Sequence, residues 1–148
     1  MNRKNIESMI PLAVKIIGES GIVHPNKDGI KEIKSEYFGY VDSFGPTVIQ
    51  GGLLQACAFY SQEDKKADRK NISDIIKKVL LTSGFIPNRF QGDESLSDIT
   101  EKVMCPPTGP DYVFWRERVL EAAIACKLAI RLFHKDKTKK PEESEGDN

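Results

Sequence analysis

Histidine and cysteine are scarce in this chain: two histidines and three cysteines in 148 residues. Cys57, Cys105 and Cys126 are odd in number and widely spaced, so no disulfide framework is expected. Two of them lie in apolar helical contexts, where a free thiol behaves as a small hydrophobe. That usage fits a reducing, cytoplasmic setting. No apolar run reaches the roughly 18 residues that a membrane span needs. The start, Met1-Asn2-Arg3-Lys4, leads into Ile6-Glu7-Ser8 rather than an unbroken apolar segment, so no secretory signal is expected.

Motif chemistry is equally thin. There is no Walker-type glycine loop, since Gly51-Gly52 has no following Lys-Ser/Thr. There is no Cys-x-x-Cys pair and no His-Glu-x-x-His, which leaves no metal site and no cofactor to expect. His24 precedes a proline, and His134 sits near the end of a helical pattern; both read as surface or capping residues. Glu32 and Glu36 share a face if residues 30–44 are helical, but Lys31 and Lys34 neighbour them and a solvated face is the simpler reading. No catalytic residue is identified.

Net charge is also absent, yet the zero conceals an uneven spread. Residues 1–110 carry 14 basic and 14 acidic groups, 111–140 carry 8 and 4, and 141–148 carry 0 and 4. A basic C-terminal helix is thus followed by an acidic tail. Such asymmetry is compatible with a nucleic-acid partner, but on charge alone a solvated helix end and a solubilising tail is the favoured reading.

What is present is helical periodicity. The dominant run is Asp111 to about Lys137. Tyr112, Trp115, Val119, Ala122, Ala123, Cys126, Ile130 and Phe133 share one face, with Leu120, Ile124, Leu128 and Leu132 as a second row. A helix apolar nearly all round is a buried one. Gly109-Pro110-Asp111 signals its start, and Lys135 to Lys140 followed by Pro141 its end.

Other helices are expected from Arg3 to Glu19 with Pro11 inside, and from Ile30 to Phe44. Gly45-Pro46 then breaks the chain, and a helix from Pro46 to Ser61 follows. Two more run from Asn71 to Ser83 and from Ser95 to Met104. In the helix from Pro46, Gly51-Gly52 would cost about 1 kcal/mol per glycine against alanine, which close approach of another backbone could offset. Residues 23–29 read as a loop, 62–70 as an exposed loop, and 105–110 as a stiff linker. No alternating strand pattern or repeat is found. The fold class predicted is all-α: one domain over 1–140, a bundle of five to six helices around the long C-terminal one, with 141–148 a disordered acidic tail.

One basic constellation stands out. Arg116, Lys127 and His134 point nearly one way on a continuous helix, with Arg131 about 60° away and Lys135 four residues beyond Arg131. The first helix adds Arg3, Lys4 and Lys15. Such side chains can follow a phosphate backbone without reading sequence. They can equally cover apolar surface with their stems.

Two stretches carry a family resemblance. The first is Phe44-Gly45-Pro46 through Gly52-Leu53-Leu54-Gln55-Ala56-Cys57-Ala58-Phe59-Tyr60. The second is Trp115-Arg116 with Glu121-Ala122-Ala123-Ile124-Ala125-Cys126-Lys127-Leu128-Ala129-Ile130-Arg131-Leu132-Phe133. Both resemble the small helical subunit family, the fifth protein of the Cmr (RAMP) module, of type III-B CRISPR RNA-guided effector complexes. The family's closing helix usually has a tryptophan before a basic pair; here Cys126 stands in that region and the pair is spread into Lys127 and Arg131.

The resemblance implies a non-catalytic subunit of antiviral defence. Its copies would stack in a minor filament beside the backbone RAMP subunits. They would touch the guide (CRISPR) RNA and target RNA through basic residues, with no membrane involved. Arg116, Lys127, Arg131, Lys135, Arg3, Lys4 and Lys15 are the expected contacts. The rivals are a small helical enzyme with a pocket near His134 and Glu36, and a helical protein-interaction module. A helix-turn-helix reader around Gly45-Pro46 is disfavoured, because Gln50 to Phe59 is too apolar for a groove.

Overall fold

A computed structural model describes residues 1–62, 68–86, 90, 93–103 and 110–136. The expected linker at 105–110, nearly all of it, and the acidic tail lie outside the described residues, as does Cys105. Six helices are found among those described: α1 (Arg3–Glu19), α2 (Ser35–Gly51), α3 (Leu53–Ser61), α4 (Lys70–Thr82), α5 (Leu96–Val103) and α6 (Pro110–Ile130). Three short strands accompany them: β1 (Val23–Pro25), β2 (Lys31–Lys34) and β3 (His134–Asp136). The expected mostly helical single domain is therefore found, with a small sheet that periodicity had not disclosed.

The helix α6 is the strut. Trp115, Val119, Leu120, Ala122, Ala123, Ala125, Cys126, Ala129 and Ile130 are all buried, and α1, α2, α4 and α5 pack on it. It is shorter than its pattern suggested. It ends at Ile130, not near Lys137, and at about 1.5 Å per residue its 21 residues span roughly 32 Å. His134 and Lys135 stand on β3, and Leu132 is 70% exposed. Lys137, Lys139 and Lys140, expected beside the helix end, lie outside the described residues.

Each remaining helix has a local reason. In α1 the Asn2 side chain caps the first turn by accepting from the Lys4 N–H, and Met9, Ala13 and Ile17 form the buried stripe. Pro11 points outward, and the helix runs on through it. In α4 the stripe is Ile72, Ile75, Ile76, Val79 and Leu80. The start of α5 is a reciprocal capping box: the Asp98 N–H donates to Ser95 Oγ at 3.0 Å, and the Ser95 N–H to Asp98 Oδ2 at 3.4 Å.

Two expectations about residues 30–61 are corrected. Residues 31–34 are strand, not helix, so Glu32 and Glu36 share no helix face. Asn26 builds the hairpin that precedes them. Its Oδ1 accepts from the N–H groups of Asp28 and Ile30, and Gly29 supplies φ 78°. Gly45-Pro46 breaks nothing either. Val41, Phe44 and Val48 are buried on one stripe that crosses it, so α2 continues to Gly51. The break falls at Gly52, where φ is 90°. No neighbouring atom lies within 4 Å of where a Gly52 Cβ would stand. Backbone conformation, rather than close approach of the strut, therefore explains this glycine.

The sheet order is β1-β2-β3, with β1 and β2 antiparallel and β2 and β3 parallel. Glu32 pairs with His24 on one side and His134 on the other. Asn5 reaches Glu121, and Phe133 lies 3.6 Å from a Cβ placed on Gly18, so α1 and α6 lie side by side and run parallel.

Candidate nucleic-acid interface

The expected basic residues lie on α1, on α6 and on the segment from Arg131 into β3. Arg3 and Lys4 begin α1, level with the turn of α6 that carries Arg116; the Met1 amine meets Glu117 at 3.1 Å there. Lys15 stands near the end of α1. Arg116 and Arg131 are 15 positions apart, about 22 Å along a helix. Because α6 ends at Ile130, Arg131 and Lys135 do not continue the helical face on which Arg116 and Lys127 lie.

The individual side chains differ in freedom. Lys4, Lys15 and Lys127 are exposed. Arg3 pairs with Glu7 at 3.0 Å on the same exposed helix face. Arg116 is 3.9 Å from Glu117. Arg131 is more committed. Its Nη2 donates to both oxygens of Asp42 at 2.9 and 3.0 Å, and its Nη1 donates to the Lys127 carbonyl at 2.5 Å. That fork ties the end of α6 to α2. The Lys135 ammonium lies 5.1 Å from the centre of the Phe38 ring. The Lys127 stem helps line an apolar cavity of about 160 Å³, with Pro46, Ile49 and Ile124 among its walls.

Charge is buried at one place the sequence did not disclose. Glu121 on α6 is wholly buried and accepts from the Asn2 N–H, the Asn5 side chain and Arg118 Nη2. Arg118 Nε makes ionic contact with the same carboxylate without hydrogen-bond geometry. The guanidinium also lies 4.7 Å from the Phe114 ring centre and 5.5 Å from that of Phe85. The sequence signal was an Arg–Glu pair three apart on an otherwise apolar helix. Its partners on α1 could not be read from it.

A polar hollow opens beside the sheet, lined by His24, Asn26, Asp28, Glu32 and Asp136. His24 Nε2 meets Asp136 Oδ2 at 3.3 Å across it. Among the described residues no three histidine, cysteine or carboxylate side chains converge as metal ligands. His134 and Glu36, the pair a rival enzyme would have used, lie on different elements: His134 is paired in register with Glu32, and Glu36 accepts from the Tyr40 hydroxyl at 3.5 Å. The thiols of Cys57 and Cys126 are buried, and burial pushes them up to about 11 and about 12, far from nucleophilic service near neutral pH. No helix among the described residues is long and apolar enough to cross a membrane.

Comparison with known proteins places the chain. A family model described as CRISPR-associated protein (Cas_Cmr5) matches residues 22–129, from β1 through nearly all of α6. No curated protein and no solved structure gives a match.

Proposed function

Since the chain belongs to the Cas_Cmr5 family of CRISPR-associated proteins, subunits of the type III-B Cmr complex, we propose that it is a non-catalytic small subunit of that effector. In this reading copies stack in a minor filament and contact guide and target RNA through phosphates. The observation that carries the proposal is the family match across residues 22–129. Two features support it: the thiols of Cys57 and Cys126 are buried, and Lys4, Lys15 and Lys127 are exposed.

The contacts proposed are Arg116, Lys127, Arg131, Lys135, Arg3, Lys4 and Lys15. Lys4, Lys15 and Lys127 are exposed, as is Arg3. Arg131 would have to exchange Asp42 for phosphate. An exposed ion pair of that kind is worth about 0–1 kcal/mol, so the exchange is cheap.

The test is RNA binding by the reconstituted complex at several salt concentrations. Lys127→Ala combined with Arg131→Ala should weaken binding about equally for all sequences and flatten the salt dependence. Asp42→Asn removes the carboxylate that competes for Arg131, so it should strengthen binding. If the double variant keeps full affinity and the same salt slope, these residues are only a solvated face.

A further inference from the structure

The outer side of α2, α3 and the start of α4 carries an arrangement that those basic residues do not use. The Arg69 guanidinium lies 4.9 Å from the centre of the Tyr40 ring and 4.6 Å from that of Phe59. A planar cation is thereby held against two rings from two different helices. Its backing is fixed from several sides. Tyr37 stands edge-on to Tyr40, with centroids 5.8 Å apart and an interplanar angle of 88°. The Tyr37 hydroxyl donates to Asp68 Oδ2 at 3.0 Å, which anchors the residue before Arg69. Buried Tyr60 meets Phe59 edge-on at 5.8 Å and donates its hydroxyl to the Tyr40 carbonyl at 2.6 Å.

Phe59 nevertheless remains 43% exposed. The core does not need this ring: Leu53, Ala56, Cys57 and Tyr60 are the buried residues of α3. An aromatic side chain held rigidly, open to water and flanked by an arginine plane suits a flat conjugated ring that arrives with negative charge attached. An unpaired nucleobase with its phosphate has that chemistry. Among the described residues, two acidic neighbours would oppose it, and both are already engaged: Asp68 accepts from Tyr37 and Asn71, and Glu36 accepts from the Tyr40 hydroxyl.

We propose that Phe59, Tyr40 and Arg69 form a stacking site for one unpaired base of an RNA strand. The base lies on Phe59, and the adjoining phosphate faces Arg69 and the exposed Lys70 at the start of α4. The choice of RNA rests on the functional reading above; the site is separate from the basic residues named there.

The full chain, titrated with a short single-stranded oligouridylate and with an RNA duplex of equal length, tests this by nuclear magnetic resonance. The single strand should shift the Phe59, Tyr40 and Arg69 resonances, and the duplex, whose bases are already stacked, should not. Phe59→Leu keeps the apolar bulk but loses the π face, so circular dichroism should be unchanged while single-strand affinity falls about tenfold. Phe59→Trp should retain binding. Wild-type affinity in Phe59→Leu, with shifts confined to Lys127 and its neighbours, overturns the site and leaves the functional reading intact. Loss of binding in Phe59→Leu alongside full affinity in the Lys127→Ala/Arg131→Ala chain supports the site and overturns the phosphate path. A Phe59→Leu chain that keeps RNA binding but fails to enter the complex marks a protein interface instead, and also overturns the proposal.

Discussion

Trp115 shows how one side chain can organise a core and still carry a polar group. It is 1% exposed, and its Nε1–H donates to Thr100 Oγ1 at 3.0 Å; that hydroxyl also meets Cys57 Sγ at 3.6 Å. As the only tryptophan it reports the core alone, so native fluorescence should be blue-shifted and move red in denaturant. Trp115→Ala should cost about 3–5 kcal/mol in a urea melt, the range for large-to-small core changes. Trp115→Phe keeps most of the ring and should cost less. Two buried thiols set a pH dependence. Cys57 and Cys126 are raised from 9.0 to about 11 and about 12 by burial, so the fold favours their neutral form. Their contribution is fully present below about pH 9, where the unfolded chain also keeps its protons, and is lost as pH rises through 11 to 12. Urea midpoints should therefore fall above pH 9, and less steeply in Cys126→Ala, while neither thiol is alkylated in the native protein at pH 8.

At the level of the element, two prolines and one glycine explain where local reading fails. A proline inside a helix costs about 3 kcal/mol or more, which argues for a break at Gly45-Pro46. Both Pro11 and Pro46 are exposed, however, and each is straddled by buried residues on one stripe, Met9 with Ala13 and Phe44 with Val48. Packing on either side of the proline outweighs the local cost. Gly52 is different, because its φ of 90° is closed to other residues without strain. Gly52→Ala should destabilise by about 1–3 kcal/mol. Gly39→Ala, on an open surface of α2 with nothing within 4 Å, should stabilise by about 0.5–1 kcal/mol. Chemical denaturation of the pair checks both signs. The sheet was illegible for a related reason. Ile30 and Ile33 are three apart and mimic a helical face, while the Asp28-Gly29 turn signal beside them points to a hairpin. Strand β3 has only three residues, and no sequence window holds its partner, which lies 102 positions upstream at Glu32.

For the molecule as a whole, the α1–α6 seam decides stability. Glu121 and Arg118 form a buried pair there, and removing one partner strands the other. Glu121→Ala should cost about 3–5 kcal/mol, and adding Arg118→Ala should cost less than the sum of the single changes. A double-mutant cycle in urea reads the coupling; additive losses would contradict it. The buried face of α6 was legible because apolar periodicity is local. The candidate interface was legible only as a list of charges. Which cation is open, like Lys127, and which is forked onto a carboxylate, like Arg131, depends on α2, a separate element. The same seam has a temporal side. Asn5 and Glu121 are joined across 116 positions, so this contact links α1 to a helix made much later on the ribosome. Helical proteins usually fold fast because their contacts are near in sequence; this one should fold more slowly than a bundle of equal size. At about 5–20 residues per second, α1 emerges several seconds before its partner exists. During that interval Met9, Ala13 and Ile17 have no α6 to cover them. Nascent chains halted before residue 110 should be cut readily by protease and engaged by chaperones, and those extended past residue 136 should resist.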